Sequence, residues 1–283
     1  KQFILNDIKN YINDELGFQL SISNIAWNDE SDEEIYKFIY NQGFKGLEIA
    51  PTRIIKDNPY DYLDKIKEYS EYIKIVYGLN ISSIQSIWYG KTENIFNSKK
   101  DYQELIDYTK KAIDFANVIK CNNLVFGCPK NRNIPNNIDK KEAKSIFIDF
   151  LKEIGEYAKE KNTIISIEPN PTIYNTNFIN TTKEALDIVK EINMPSIRVN
   201  LDLGTMIYNQ EDINILVDNI KFINHIHISE PYLEKIVKRD LHTKLVNILK
   251  DKKYSKFISI EMKNNNNLEE VKETIKYIRR IFK

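Results

Sequence analysis

Glu168, Asp202, His227 and Glu261 each close a short apolar run, in IISIEP, RVNLDLG, INHIHISEP and FISIEM. They stand 34, 25 and 34 residues apart, about what one strand, one helix and two loops consume in a βα repeat. One carboxylate or imidazole per repeat, always at the strand end, predicts that the four meet at one mouth of a parallel barrel. Three carboxylates and an imidazole form a mostly hard donor set suited to Mn2+, Mg2+ or Co2+, with Zn2+ as an alternative. An ion held this way polarises a carbonyl and acidifies the adjacent C–H, and a carboxylate bound loosely to it can take the proton. Glu168 and Glu261 are therefore the candidate catalytic pair as well as ligands, while Asp202 and His227 are candidate ligands only. His225 shares a strand face with His227. It is the competing ligand, and His227 is preferred because it lies nearer the strand end.

The elements that must position these residues recur along the whole chain. Apolar runs fall at 19 to 27, 45 to 51, 80 to 88, 122 to 129, 163 to 169, 197 to 203, 222 to 229 and 256 to 262. They are short, rich in Ile and Val, and separated by segments long enough for a helical crossover, the pattern of parallel strands buried on both faces. Between them, Leu268, Val271, Ile275, Ile278 and Phe282 recur at helical steps. The pairs Ser31 with Glu34 and Thr181 with Glu184 have capping-box spacing. Asn267 is placed to cap the last helix. Alternation puts Ser166 with Glu168, Asn200 with Asp202, and Ser259 with Glu261 on one face, and Ile165, Ile167, Leu201, Ile226, Ile228, Ile258 and Ile260 on the other. The fold class expected is α/β, a single (β/α)8 TIM barrel over residues 1–283, with 1–17 as an extension or helix before the first strand.

Composition narrows the partner. The 41 basic and 41 acidic side chains cancel to zero formal charge over 283 residues. That leaves no electrostatic footprint for nucleic acid and no polybasic surface for anionic lipid. A small molecule is favoured. Cys121 and Cys128 form neither a CxxC pair nor a metal knuckle, which fits packing residues in a reducing, cytoplasmic setting. No apolar run is long enough to span a membrane, and the first residues lack the continuous apolar core of a signal peptide.

Further candidates for substrate contact surround the predicted mouth. Glu48 closes the second strand and either hydrogen-bonds a substrate hydroxyl or stabilises the barrel through Arg53 or Arg198. Trp27, Trp88 and Tyr89 either stack on a sugar ring or pack. Gln85, Asn24, Asn200 and His225 are polar positions facing inward. Lys263, with Arg53, Lys130 and Arg132, is placed to meet a phosphate. The polar connection from Pro129 to Asp139 follows the fourth strand, where a lid over the site is expected.

In this order and spacing, GLEIAP, ISIEP, VNLDLG, HIHISEP and ISIEM resemble the xylose-isomerase-like TIM-barrel superfamily of sugar isomerases, sugar epimerases and endonuclease IV. The resemblance covers nearly the whole chain. In its ketose 3-epimerase members, the residues matching Glu168, Asp202, His227 and Glu261 bind Mn2+ or a similar ion, and the two glutamates are the acid–base pair. The resemblance implies those roles here. Those epimerases also carry a histidine three residues after the sixth-strand aspartate and an arginine six after the seventh-strand histidine, both used on the substrate. Here the positions hold Thr205 and Leu233. Endonuclease IV binds three zinc ions through many histidines, whereas this chain has only His225, His227 and His242. The resemblance thus implies a divalent-metal-dependent isomerase or epimerase acting on a sugar or sugar phosphate through an enediolate. The alternatives are a hydro-lyase of the inosose dehydratase type and a catalytically degenerate carbohydrate-binding barrel. The expected partner is a sugar or sugar derivative, and a homodimer is common among such barrels.

Overall fold

Period-2 alternation of Ile, Leu and Val with small polar residues decides the architecture. The computed structural model describes residues 17–283; the expected N-terminal extension, save its last residue, lies outside them. The strands are β1 (Gln19–Ser23), β2 (Gly46–Ile49), β3 (Asn80–Ile84), β4 (Leu124–Phe126), β5 (Ile165–Ile167), β6 (Ile197–Asp202), β7 (Ile223–Ile228) and β8 (Phe257–Ile260). All neighbours pair in parallel, and β8 pairs with β1 to close the barrel. The expected (β/α)8 barrel is the fold.

Each strand is shorter than its apolar run because the backbone turns early. β3 stops before Ser86 and β4 before Cys128, both with left-handed backbone, at φ of 53° and 46°. The residues beyond the last paired position then become loop, on the face where this fold does its chemistry.

The helices follow in sequence: α1 (Asp32–Asn41), α2 (Pro51–Ile54), α3 (Leu63–Tyr77), α4 (Lys99–Val118), α5 (Lys140–Glu160), α6 (Thr182–Ile192), α7 (Leu203–Asn209), α8 (Asp240–Asp251) and α9 (Leu268–Ile281). Thr181 and Glu184 form the expected capping box on α6, and Asn267 accepts from the Glu270 N–H at the start of α9. Ser31 does not do the same for α1. A 3-10 turn, Asp29–Ser31, runs directly into the helix, so the Ser31 side chain makes no capping bond, and Glu34 reaches Lys272 of α9 instead.

The two faces of the strands go to different cores. Leu20, Ile22, Leu47, Ile49, Leu124, Phe126, Ile165, Ile167, Val199, Leu201, Ile226 and Ile228 are fully buried and share one core with helix residues such as Ile35, Ile66, Ile113, Leu151, Val189, Leu245 and Ile275. Each such side chain contributes about 1.5–3 kcal/mol by leaving water. The barrel interior, by contrast, is polar where this fold is ordinarily filled with branched apolar residues. Ser21 and Ser82 hydroxyls lie 2.6 Å apart. Asn123 receives Ser166 at 2.5 Å and Asn224 at 2.7 Å, and donates to Ser83 at 2.8 Å. Polar groups so deep must be paired with one another. The network is thus a rigid floor beneath the mouth.

No helix among the described residues is long and apolar enough to cross a membrane.

Candidate metal centre

Register brings the four residues together. β6 and β7 align Asp202 with His227, after an irregularity between Val199 and Asn200, and β7 and β8 align His227 with Ser259. Glu168 and Glu261 lie one residue beyond β5 and β8, yet their N–H groups continue the ladder to Phe126 O at 3.0 Å and Ile228 O at 2.9 Å. Their side chains therefore point into the mouth from rigid backbone. One donor atom each from Glu168, Asp202, His227 and Glu261 falls within 4.8 Å of the others. His227 Nδ1 lies 2.9 Å from Glu168 Oε1 and 3.1 Å from Glu261 Oε2.

Every member is held by a neighbour. Asp202 is the N-cap of α7: its Oδ2 accepts from the Thr205 N–H and faces the Thr205 hydroxyl, both at 2.7 Å, while Oδ1 accepts from Ser229. Glu168 accepts from Asn200 Nδ2 at 2.7 Å and Asn170 Nδ2 at 3.1 Å. Gly127 must be glycine for this to happen, since a Cβ there would sit 2.7 Å from Glu168 Oε2.

The electrostatics fit a cation. Glu168, Asp202 and Glu261 have no lysine or arginine ion pair among the described residues, so their charges are not there to balance a basic side chain of the barrel. Burial, together with Glu168, raises the Asp202 carboxyl above its ordinary value. Burial likewise raises Glu261, against the pull of His227 and with the push of Asp202. Burial disfavours protonation of His227, but Glu261, Glu48 and Glu168 outweigh it and hold the ring well above the ordinary histidine value. Among the described residues the His227 ring is the only basic side chain set against these three carboxylates, two of them buried and Glu168 half-buried. A divalent ion of the hard class would balance the set better, with ligand chemistry that matches.

The structure places the remaining candidates as follows. Glu48 is fully buried below the centre and touches neither Arg53 nor Arg198. Its Oε2 is 2.9 Å from His227 Nε2 and 3.1 Å from His225 Nε2; the second contact is off-line, since His225 Nε2 has no well-aligned partner. Burial opposes ionisation of Glu48, but the two histidines win and keep its carboxyl well below the ordinary range. Arg53 binds Asp32 and the Trp27 carbonyl, and the Trp27 indole also donates to Asp32. Asn24 accepts from the Ala50 N–H. Gln85 lines the cavity and donates to Ser23 at 2.6 Å. Asn200 bridges Glu168 and His227. His225 sits one layer deeper, its ring at 88° to that of His227.

Three expectations need correction. Trp88 is a core residue: its indole donates to Thr109 on α4 at 2.9 Å and its ring meets Phe126 and Phe150 edge-on, which leaves no face for a sugar. Arg132 cannot meet a phosphate, because it is fully buried and donates to the carbonyls of Gly127, Phe178 and Glu168 and to Asn170 Oδ1. The segment from Pro129 is consequently bolted down rather than a free lid. Asn131 donates to Lys91 O and Glu93 O, and Asn177 clamps Ile134 from both sides. Lys263 pairs with Glu234 on the rim.

A cavity of about 170 Å3 opens above the carboxylates, lined in part by Gln85, Gly127, Asn170, Tyr174, Leu233 and Glu261. Tyr174 was not legible in the sequence, because it stands in a 3-10 turn, Thr172–Tyr174, with no periodic signal. Burial and the carboxylates of Asp202 and Glu261 keep its phenol protonated. Asn170 continues the alternation begun by Ser166 and Glu168 and could have been found that way. Ser86, Cys128, Tyr232 and Leu233 ring the mouth in left-handed backbone, a conformation that costs about 1–3 kcal/mol per residue and clusters at functional sites. A larger groove of about 640 Å3, lined by Lys67, Glu71, Asn80 and Lys120 among others, lies at the opposite end of β3 and β4, away from the carboxylates.

The family is evident at this point. Residues 36–281 match the model described as xylose isomerase-like TIM barrel, and the chain belongs to that family. Among solved structures, apo 3-keto-D-glucoside 4-epimerase YcjR from E. coli has a TM-score of 0.75 at 16% identity, over 93% of this chain and 99% of that one. D-psicose 3-epimerase from Clostridium cellulolyticum H10, with D-tagatose, gives 0.74 at 14% identity, over 94% and 100%. AP endonuclease, family 2, from Brucella melitensis gives 0.73 at 18% identity, over 94% and 99%. At such identities the likeness establishes the fold. No curated protein matches in sequence.

Proposed function

We propose that this chain is a divalent-metal-dependent isomerase or epimerase acting on a sugar or sugar derivative. The observation that carries the reading is the convergence of Glu168, Asp202, His227 and Glu261 within 4.8 Å at the floor of one cavity, with no lysine or arginine paired to the three carboxylates among the described residues. Glu168, Asp202, His227 and Glu261 would hold the ion, which when bound supplies Lewis-acid polarisation of the substrate carbonyl. Mn2+, Mg2+ or Co2+ suits these donors, with Zn2+ as the alternative.

Glu168 and Glu261 come from β5 and β8 and flank the place where a substrate carbon would sit. One takes the proton from the carbon next to the carbonyl, leaving an enediolate, and the other returns a proton to the opposite face, which inverts that centre. Delivery to the neighbouring carbon instead gives aldose–ketose isomerisation. Asn200 and Asn170 hold the Glu168 oxygens in place, and Asp202, fixed by Thr205 and Ser229, serves as ligand only. Leu233 at the cavity wall and Thr205 turned onto Asp202 favour a substrate other than a free ketose bound in the ketose 3-epimerase manner. Loss of water from the product mass would instead identify a hydro-lyase acting on the same carbon acid.

The test is exchange of solvent deuterium into a ketose panel by the metal-loaded protein. Glu168→Gln and Glu261→Gln should each fold normally and abolish exchange. Exchange retained in both variants contradicts the assignment, and stoichiometric sugar binding with no exchange in the parent protein points to a carbohydrate-binding barrel. The two free cysteines fit a cytoplasmic setting under this reading.

A further inference from the structure

The cavity over the carboxylates has a neighbour at its rim. Ser86, Cys128 and Pro129, which bound it on one side, also begin a second cavity of about 620 Å3 that runs outward over the loops after β3 and β4. The inner chamber is a monosaccharide-scale space. The outer one is more than three times larger and shares those three residues as a common wall.

The outer wall is built rather than incidental. Tyr89 stands on it with 71% of its surface exposed, a large aromatic ring left in water beside a catalytic-type mouth. Gly90 follows at φ 82° with open space around it, so the Tyr89 turn stands clear of the barrel. The turn is nevertheless fixed: Tyr89 N donates to Ser86 O and Lys91 N to Trp88 O, both at 3.0 Å, and Trp88 is anchored in the core. From the facing loop, Asn131 holds the carbonyls of Lys91 and Glu93. Of the two lysines present, Lys91 is taken by Glu93 at 3.2 Å and lies over the Tyr108 ring. Lys130 is exposed, so one solvent-screened ammonium is all that a phosphate would meet.

We propose that this groove is a subsite for a second sugar ring, so that the substrate is a glycosidically substituted sugar rather than a free monosaccharide. The inference rests on the sugar reading given above. The reacting ring occupies the inner chamber, with its substituent passing between Ser86 and Cys128. The second ring lays its C–H face on Tyr89 and presents hydroxyls to Thr92, Asn131 and Lys130. Aromatic faces suit this use because they offer a flat apolar surface at low entropic cost.

Affinities of the metal-loaded protein for D-fructose, for its 4-O- and 6-O-α-D-glucopyranosyl derivatives and for D-fructose 6-phosphate, read by titration calorimetry, test the proposal. At least one disaccharide should bind about tenfold or more tightly than D-fructose. Tyr89→Ala should cost that disaccharide about three- to tenfold and D-fructose nothing. Equal binding of D-fructose and both disaccharides, or an unchanged disaccharide affinity in Tyr89→Ala, overturns the subsite. So does a preference for the phosphate that Lys130→Met removes. If no sugar binds at all, the underlying sugar reading fails and takes the subsite with it. If D-fructose binds and Asp202→Asn weakens it, that reading stands and the disaccharide arms decide the subsite alone.

Discussion

Glu48 Oε2 lies 2.9 Å from Nε2 of His227, the ring nitrogen opposite the one that faces Glu168 and Glu261. An ionised carboxylate only accepts, so Nε2 donates to it, and Nδ1 is turned toward the mouth. Glu48 therefore acts through His227, as a positioning residue buried beneath the centre. Replacing it with Ala should lower the affinity for Mn2+ about 10–100-fold. Glu48→Gln, which keeps an acceptor oxygen, should lose less. Titration calorimetry on both variants checks this, and unchanged affinity in Glu48→Ala contradicts the role.

Gly127 gives Glu168 its room. A Cβ at 127 would come 2.7 Å from Glu168 Oε2 and 3.2 Å from Asn170 Oδ1, so one of them must shift. Gly127→Ala should cost about 1–3 kcal/mol of stability and reduce deuterium exchange far more than that loss explains. Urea unfolding alongside exchange rates separates the two effects.

Arg132 is a strut of the mouth. Its guanidinium satisfies carbonyls from the β4 loop, from Phe178 and from Glu168. Hydrogen bonds to a charged group are worth about 1.5–3 kcal/mol each, and their buried acceptors would be stranded. Arg132→Met should therefore destabilise the fold by about 3 kcal/mol or more, measured by urea unfolding. A loss below about 1 kcal/mol would show that the loop is held by other contacts.

His242 on α8 meets the Tyr277 hydroxyl of α9 at 2.9 Å, and burial lowers its pKa to about 4. The unfolded chain takes up this proton near pH 6.5 and the folded one only near pH 4, so stability is full above 6.5 and falls as the pH drops through that window. The loss from this group approaches about 3 kcal/mol by pH 4. His242→Gln should lose correspondingly less between pH 7 and pH 4.5 in urea unfolding. An identical drop in both proteins would contradict it.

The barrel was legible because a parallel strand covered on both faces writes its own alternation. Ile165, Ile167 and Ile228 face the helices, while Ser166, Glu168 and His227 face inward. The convergence of Glu168, Asp202, His227 and Glu261 was legible for the same reason, since a carboxylate that ends an apolar run is costly unless something uses it. Partners distant in sequence were not. Glu48 finds His227 across 179 positions, and nothing local distinguishes that contact from one to a substrate. Arg132 read as a surface cation because the carbonyls that bury it belong to other loops, and Trp88 read as a ring platform because Thr109, which takes its N–H, lies on α4. Ser31 had capping-box spacing, but the 3-10 turn before α1 decided its backbone first. Tyr174 belongs to an irregular loop, where no period points to the cavity.

The central claim is that Glu168, Asp202, His227 and Glu261 hold one divalent ion. Elemental analysis after loading with Mn2+ and exhaustive dialysis tests it most directly, on the parent chain and on Asp202→Asn and Glu261→Gln. The account predicts close to one ion per chain in the parent and a marked loss in both variants. Retention of no ion by the parent, or equal retention by all three proteins, would contradict it.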